Sequence, residues 1–566
     1  MNLDISREYL QHVVTQLESF RSHPLGFRVA GTPEERQATA FIAGELRNAG
    51  LTDVVEEPVP VDAWRLHDAF VELGEGRRYE CASFGGVPET GPRGVQAPLV
   101  QVRRGGRKQL DALDVGGKIA LVDWEVERLW PYHVGLELGL RGAAALIVTS
   151  PPGAPYYQAP DALGTFDGLW HAEAPPCVTI RKEDAGELKA HEGADVRVVL
   201  SAPLTRGAEA ANVVGILPGR RDGAPSIVAG HHDGWFSAAF DDASAVAVTL
   251  ALARAFAAQG VRLERPIAFV SHTAEEYGIA AGWTRRICRQ AARDGLLPHG
   301  YRLAAPSTWT EVWPFLAAGI PGINVSTFSS EFDRSEYHTQ FDTSDRVDFD
   351  YLERLTRVCA TLLSEADLAV LDYGARSRDV RRSLGREIEH ARLESALDDL
   401  ARAEGRKRFT AVGRGLHGLD ARETARYPHE QTAADVRFLE TALAELGTGR
   451  QHKAANALAR VGLNWLCADL GPEAFRIERA RRGRTAPRAC WAAQGDPDIG
   501  PDLWNEIASL RRETDARPYG PWLERSLHSH LAASSRELAR RLDRMAAAAE
   551  GKIFPLPRPH AKDLPR

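Results

Sequence analysis

The chain has 566 residues, 44 % apolar and 26 % charged, with a formal net charge of −7. That length exceeds what one core fills and predicts roughly three to four domains of ordinary globular composition. The charge balance lacks the basic field of a nucleic-acid binder, and the longest apolar stretch, 246–258, is too short to span a bilayer and contains an arginine.

Arginine runs such as 479–484 read as solvated faces. Six cysteines stand at 81, 177, 288, 359, 467 and 490 with no CxxC pair. This argues against a cysteine zinc site and against a disulfide framework, and favours buried free thiols. The opening text MNLDISREYLQHVV has no basic segment followed by a long apolar one. No signal peptide is expected, and the expected location is the cytoplasm.

In chain order, apolar positions at helical spacing predict helices over 4–19 and about 33–49, the second stopped by Gly50. Residues 53–61 alternate like a strand. From about 65 to 204, short apolar runs (KIALVDW, AALIVTS, CVTI, VRVVL) separated by Gly/Pro clusters predict a β-rich module with one helix near 133–141. Between 212 and 375 the pattern becomes α/β. NVVGILPG and PSIVAGHHD read as strands joined by the turn PGRRDGAP, followed by a helix over about 242–258, the strands PIAFVSHT and PGINVSTF, and a helix over 351–371. The remainder, 376–566, carries leucine stripes at three- and four-residue steps and predicts helices that pack on one another. The proline-rich tail from Pro555 is expected to be loose.

Four short stretches carry chemistry. In GHHDG, His231 and Asp233 are two apart at a strand end and share a face; an acidic neighbour is suited to hold the second ring nitrogen of a metal-binding histidine. AFDDAS opens a helix, so Asp241 and Asp242 are each either a ligand or an N-cap. SHTAEEYG places Glu275 and Glu276 beyond the carboxyl end of a strand, where open α/β sheets build their sites. Adjacent side chains diverge there, which suits a division between metal ligand and general base; a solvated pair at a helix start is the plainer alternative. YHTQFDT supplies His338, with Asp342 either orienting it or capping a turn. Trp235, Phe236, Trp309, Trp313 and Tyr337 are candidates for a pocket lining or for core. Together the motifs supply the His, Asp and Glu mixture of catalytic zinc.

These motifs, from NVVGILPG through GHHD, FDDASA, AFVSHTAEEYG and PGINVSTF to YHTQFDT, resemble the zinc aminopeptidase superfamily that includes glutamate carboxypeptidase, glutaminyl cyclase and the transferrin receptor. The resemblance implies an α/β fold with a zinc-peptidase (phosphorylase/hydrolase-like) mixed sheet flanked by helices. It divides the chain into a first peptidase part (1–64), an inserted β-rich protease-associated domain (65–204), a second peptidase part (205–375) and a helical, dimerisation-like domain (376–566). Carried over residue by residue, Asp241 would bridge two metals, Glu276 and His338 would complete one metal site, and His231 would belong to the other. Glu275 would be the general base, Asp233 would support His231, and Tyr337 would lie near the substrate. The family places a further acidic ligand on a strand between the glutamate pair and the final histidine, whereas the text from 278 to 301 reads as helix and turn, with Asp294 and Glu311 the nearest acidic residues. The expectation is thus one or two zinc ions with the His231 site incomplete. The implied activity is zinc-dependent hydrolysis of a peptide or small amide, with water activated by metal and Glu275, in a homodimer formed through the C-terminal helices. The alternatives are a non-catalytic, receptor-like or degenerate homologue and a mono-zinc cyclising enzyme.

Overall fold

The computed structural model describes residues 3–123, 131–149, 160–165, 174–274, 338–367, 390–402, 429–462, 503–512 and 520–550, short of 52, 75, 104, 223, 224 and 261, together with a few short pieces between 325 and 477. In chain order it opens with α1 (Arg7–Ser19), α2 (Pro33–Asn48) and the long strand β1 (Asp53–Trp64). There follow β2 (Asp68–Leu73), β3 (Arg77–Glu80), β4 (Val95–Arg103), α3 (Arg107–Asp111), β5 (Ile119–Asp123), α4 (Pro131–Leu140), β6 (Ala145–Thr149), β7 (Cys177–Thr179), α5 (Lys182–Lys189) and β8 (Asp195–Ser201). Then come β9 (Leu204–Leu217), β10 (Ser226–His231), α6 (Ser244–Ala258), β11 (Ile267–His272) and α7 (Phe349–Asp367).

The first helices start where their sequences dictate. Ser6 caps α1 by accepting from the Tyr9 N–H at 3.3 Å, and Thr32 caps α2 with Pro33 at the first helical position. Leu10, Val13, Val14 and Leu17 of α1, and Ala38, Ile42 and Leu46 of α2, turn inward as the spacing predicts.

The sheet that carries the site runs in the order β1-β9-β11-β10. β1 and β9 are antiparallel, β9 and β11 are antiparallel, and β11 and β10 are parallel, with α6 as the crossover between them. The sequence joins β9 to β10 by a turn, yet the two do not pair; β11 lies between them. β11 is buried along nearly its whole length, and α6 buries residues all round its circumference, the pattern of elements enclosed on both sides. β1 carries Pro58 and Pro60, which cannot donate to a ladder, and it lies at the sheet edge where their missing N–H groups cost least.

Trp64 at the end of β1 pairs with Leu204 at the start of β9, so the chain leaves this sheet and returns to it at neighbouring positions. The excursion forms a seven-stranded sheet in the order β3-β2-β8-β4-β5-β6-β7. Its β3-β2-β8-β4 half is antiparallel and its β4-β5-β6-β7 half is parallel. The parallel half accounts for a departure from expectation: parallel neighbours need crossovers, and three helices (α3, α4 and α5) lie within the stretch expected to hold one. Cys81 and Cys177 are buried free thiols, as expected.

Phe27, Trp64, Trp235 and Phe236 stack at 4.9–6.4 Å between ring centroids and belong to the core shared with the excursion. Trp235 and Phe236 are therefore buried packing residues. Near the C-terminus, the helices 391–402, 429–447, 451–458, 504–512 and 520–549 pack through alanine- and leucine-rich faces, and Leu136 of α4 joins one of their clusters. Among the described residues no helix is long and apolar enough to cross a membrane. PGINVSTF (apart from Val325), the 278–301 stretch and the tail from Pro555 lie outside the described residues.

Candidate metal centre

His231 is the last residue of β10, beside His272 at the end of the parallel strand β11. This is the carboxyl edge of the sheet, where α/β folds leave a crevice. GHHDG fits there because of its glycines. A Cβ on Gly230 would lie 2.8 Å from the Ala245 Cβ at the start of α6, and one on Gly234 would lie 2.3 Å from the Ala238 Cβ. The histidine pair is thus pressed against the helix start by positions that admit no side chain.

The AFDDAS stretch forms one wide turn, 239–243, before α6 begins at Ser244. Its two aspartates divide the alternatives left open by the sequence. Asp242 does the capping: its Oδ1 accepts from the Ala245 N–H at 3.2 Å, and its Oδ2 from the His231 N–H at 3.2 Å. Asp241 turns the other way, its side chain 27 % exposed, with Oδ1 3.2 Å from His231 Nε2 and Oδ2 3.3 Å from His338 Nε2. The peptide between the two aspartates is cis. Residues 107 apart in the text, counting from His231 to His338, are thereby joined through one carboxylate.

Asp342 neither orients His338 nor caps its own turn. It accepts from the Phe240 N–H at 2.6 Å and the Asp241 N–H at 3.3 Å, and so fixes the backbone that presents Asp241. Burial pushes its carboxyl up to about 7, the Phe240 amide opposing this and the Asp241 charge adding to it. Desolvation likewise raises Asp241, but the His231 and His338 imidazoles outweigh it and hold that carboxyl far below the usual range. His272 is lowered to about 4, chiefly by burial and then by His231 and His232, and stays neutral.

Asp233 meets His231 mainly through its main chain: its carbonyl oxygen lies 3.1 Å from Nδ1, its carboxylate 3.6 Å away. A carbonyl only accepts, so Nδ1 carries the hydrogen. With Nδ1 donating to that carbonyl, Nε2 faces the Asp241 carboxylate, and the contact calls for a proton or a cation between the two.

Two donors on one tetrahedral zinc ion, each about 2.0–2.1 Å from it, stand about 3.3–3.4 Å apart. Both imidazole–carboxylate separations fit that spacing, as does the oxygen and nitrogen chemistry of the donors. Among the described residues no group of three or more His, Cys, Asp or Glu is placed to hold a metal by itself. What is described is two imidazole–carboxylate pairs that share Asp241. Glu275, Glu276 and Tyr337 lie outside the described residues, as do Asp294 and Glu311; Ala274, with φ 61°, is the last one described before the glutamates.

Sequence reasoning passed over the layer beneath. The buried His232 has Nδ1 2.9 Å from Ser271 Oγ and Nε2 3.0 Å from Glu35 Oε1 and 3.2 Å from Thr39 Oγ1. The buried Arg28 donates from Nε to the His232 carbonyl at 2.5 Å and from a terminal nitrogen to the Leu17 carbonyl at 2.8 Å. The second histidine of GHHDG was the visible signal for this layer; nothing near Arg28 or Glu35 in the text pointed to it.

Residues 212–283 match the model of peptidase family M28. That stretch resembles the family. It spans His231, Asp233, Asp241, Glu275 and Glu276 and stops short of Tyr337 and His338, so geometry and not the match brings His338 to it. Among solved structures the chain is similar to the zinc aminopeptidase BSAP from Bacillus subtilis, with 20 % identity over 65 % of this chain and 96 % of that one and a TM-score of 0.48. It is also similar to a peptidase M28 precursor from Shewanella amazonensis SB2B (20 % identity, 64 % and 97 % coverage, TM-score 0.44) and to a glutaminyl cyclase from Porphyromonas gingivalis (12 %, 64 % and 99 %, 0.31). No curated protein matches the chain.

Proposed function

We propose that this protein is a zinc-dependent hydrolase of peptide or related amide bonds, of the aminopeptidase or carboxypeptidase kind. The observation that carries the reading is the Asp241 carboxylate set between His231 Nε2 and His338 Nε2 at 3.2 and 3.3 Å, with the Nδ1 hydrogen of His231 already committed to the Asp233 carbonyl. The M28 match over the strand, turn and glutamate pair supports it.

In this reading Asp241 would be shared by two metal sites, of which His338 and Glu276 would complete one and His231 would belong to the other. Zinc held there would supply Lewis-acid chemistry, lowering the pKa of a water and polarising an amide carbonyl. Glu275 would serve as the general base for the attacking water and pass its proton to the leaving amine. Asp233 and Asp342 hold the donors in place by hydrogen bonds, and Tyr337, next to the ligand His338, lies near the substrate. Residues 65–204 correspond to a protease-associated domain, and the C-terminal helices pair two copies into a homodimer, for which a monomer by light scattering would be the contrary result.

The test is zinc stoichiometry on freshly purified protein, followed by hydrolysis of aminoacyl and peptide amides with and without chelator. One or two bound zinc ions and chelator-sensitive turnover are expected, with Glu275→Gln slower by about 10²–10⁴-fold. A protein that takes no zinc and hydrolyses nothing would be the receptor-like homologue instead. One zinc ion with ring closure of an N-terminal glutaminyl peptide would make it a cyclising enzyme.

A further inference from the structure

His338 stands on a loop with a left-handed backbone (φ 51°), a conformation that a non-glycine residue keeps only where its surroundings impose it. The surroundings come from the excursion. The Thr165 N–H donates to the His338 carbonyl at 3.0 Å, and Gly164 and Thr339 form an antiparallel bridge. Gln340 closes the contact with both ends of its amide: Oε1 accepts from the Leu163 N–H at 2.7 Å, and Nε2 donates to the Asp161 carbonyl at 2.9 Å. A side-chain amide here continues the strand pairing that the backbone begins.

The segment that grips this loop is itself anchored. Thr165 Oγ1 donates to the Ser83 carbonyl at 2.8 Å, and Ser83 Oγ donates to the Cys177 carbonyl at 2.7 Å, on β7. Arg181 donates to the Asp161 carbonyl at 3.1 Å and pairs with Glu80 at 2.6 Å. Thr165 and Ser83 are buried. A continuous chain of hydrogen bonds thus runs from the seven-stranded sheet through 161–165 to the backbone of His338.

We infer that residues 161–165 of the excursion are a structural part of the metal centre: with Gln340 they set the position of His338, and zinc retention at its site depends on them. Gln340 and Thr165 are positioning residues and touch neither metal nor substrate. The role in zinc retention rests on the proposed function; the hold on the loop does not.

The experiment separates the two. Amide hydrogen exchange is followed at Thr165 and across 338–342 in metal-free protein, and zinc affinity is measured by competition with a chelator, for the wild type, Gln340→Ala and Gln340→Glu. The first variant removes both hydrogen bonds; the second keeps an acceptor for Leu163 and sets an anionic oxygen against the Asp161 carbonyl. Gln340 is half-buried, so an unchanged melting temperature is expected. Both variants should exchange faster at Thr165 and 338–342 and bind one zinc ion about 10- to 100-fold more weakly, the range for partners that orient a ligand. Unchanged exchange in both variants would overturn the inference, as would faster exchange with zinc affinity intact. A wild type that takes no zinc sinks the proposed function, and the exchange data then still decide whether this segment holds the loop.

Discussion

The two histidines that face Asp241 are held in different ways. His231 ends a strand: its backbone is fixed by parallel pairing with β11, its ring by the carbonyl of Asp233 two residues on, and its amide by Asp242 in the next turn. Its placement is local and redundant. His338 has no strand beneath it among the described residues, and its loop is pinned by 161–165, a segment 177 residues earlier in the chain where Gln340 meets Leu163. One donor is thus built into the sheet and the other is delivered to it. The difference predicts that damage at the His231 end appears as lost stability, whereas damage at the His338 end appears as lost metal in a protein that still folds.

The point common to both is Asp241, and removing its charge should have the largest effect. Asp241→Asn leaves the shape but takes away the anion between two imidazoles. On the proposed function, losing the cation would cost several kcal/mol of transition-state stabilisation, about 10³-fold or more in kcat/KM. Hydrolysis assays with metal analysis check it; a variant retaining full zinc and turnover would place the chemistry elsewhere.

At the His231 end the sharpest perturbation is Gly230→Ala. The added Cβ would press on Ala245 Cβ at 2.8 Å and on Ala245 backbone at 3.0 Å. Overpacking of this kind costs about 1–3 kcal/mol. The midpoint of denaturant unfolding should fall accordingly, with zinc affinity in the folded fraction changing less than in Gln340→Ala. An unchanged midpoint would mean that α6 moves freely away from β10, contrary to its burial between sheet and helices.

What was legible in the sequence divides along the same line. The strands β5 to β8 announced themselves as apolar runs between Gly/Pro clusters, α1 and α2 by their periodicity and α6 as the longest apolar stretch, because each is specified by residues within one short window. His231, Asp241 and His338 were legible as motifs. Strand order was not: nothing in the turn between β9 and β10 says that β11 will come between them, since that depends on the crossover through α6. The duties of Asp241 and Asp242 were equally undecided, because capping and ligation call for the same residue type at adjacent positions. Arg28, Glu35, Thr165 and Gln340 were invisible for a further reason. Arg28, Thr165 and Gln340 act through backbone carbonyls and amides, and Glu35 through the ring of a histidine 197 residues on; such distant partners leave no mark in the identities of their neighbours.

The smallest expected effect tests what else could hold the His338 loop. Glu336 and Arg346 bracket it with an ion pair at 2.9 Å, and the Arg346 guanidinium lies 4.6 Å from the Phe341 ring centre. The arginine side chain is 39 % exposed, and pairs of that kind are worth about 0.2–1 kcal/mol after solvent screening. Arg346→Gln should therefore weaken zinc binding by no more than about fivefold, and that difference should shrink further in high salt. Gln340→Ala breaks uncharged hydrogen bonds to backbone groups, so its effect should be larger and nearly indifferent to salt. Chelator competition at low and high ionic strength reads both variants in one experiment. If Arg346→Gln loosened zinc as much as Gln340→Ala did, and lost that effect in salt, the loop would be held by its own ion pair, and the contrast between a donor built into the sheet and one delivered by a distant segment would fail.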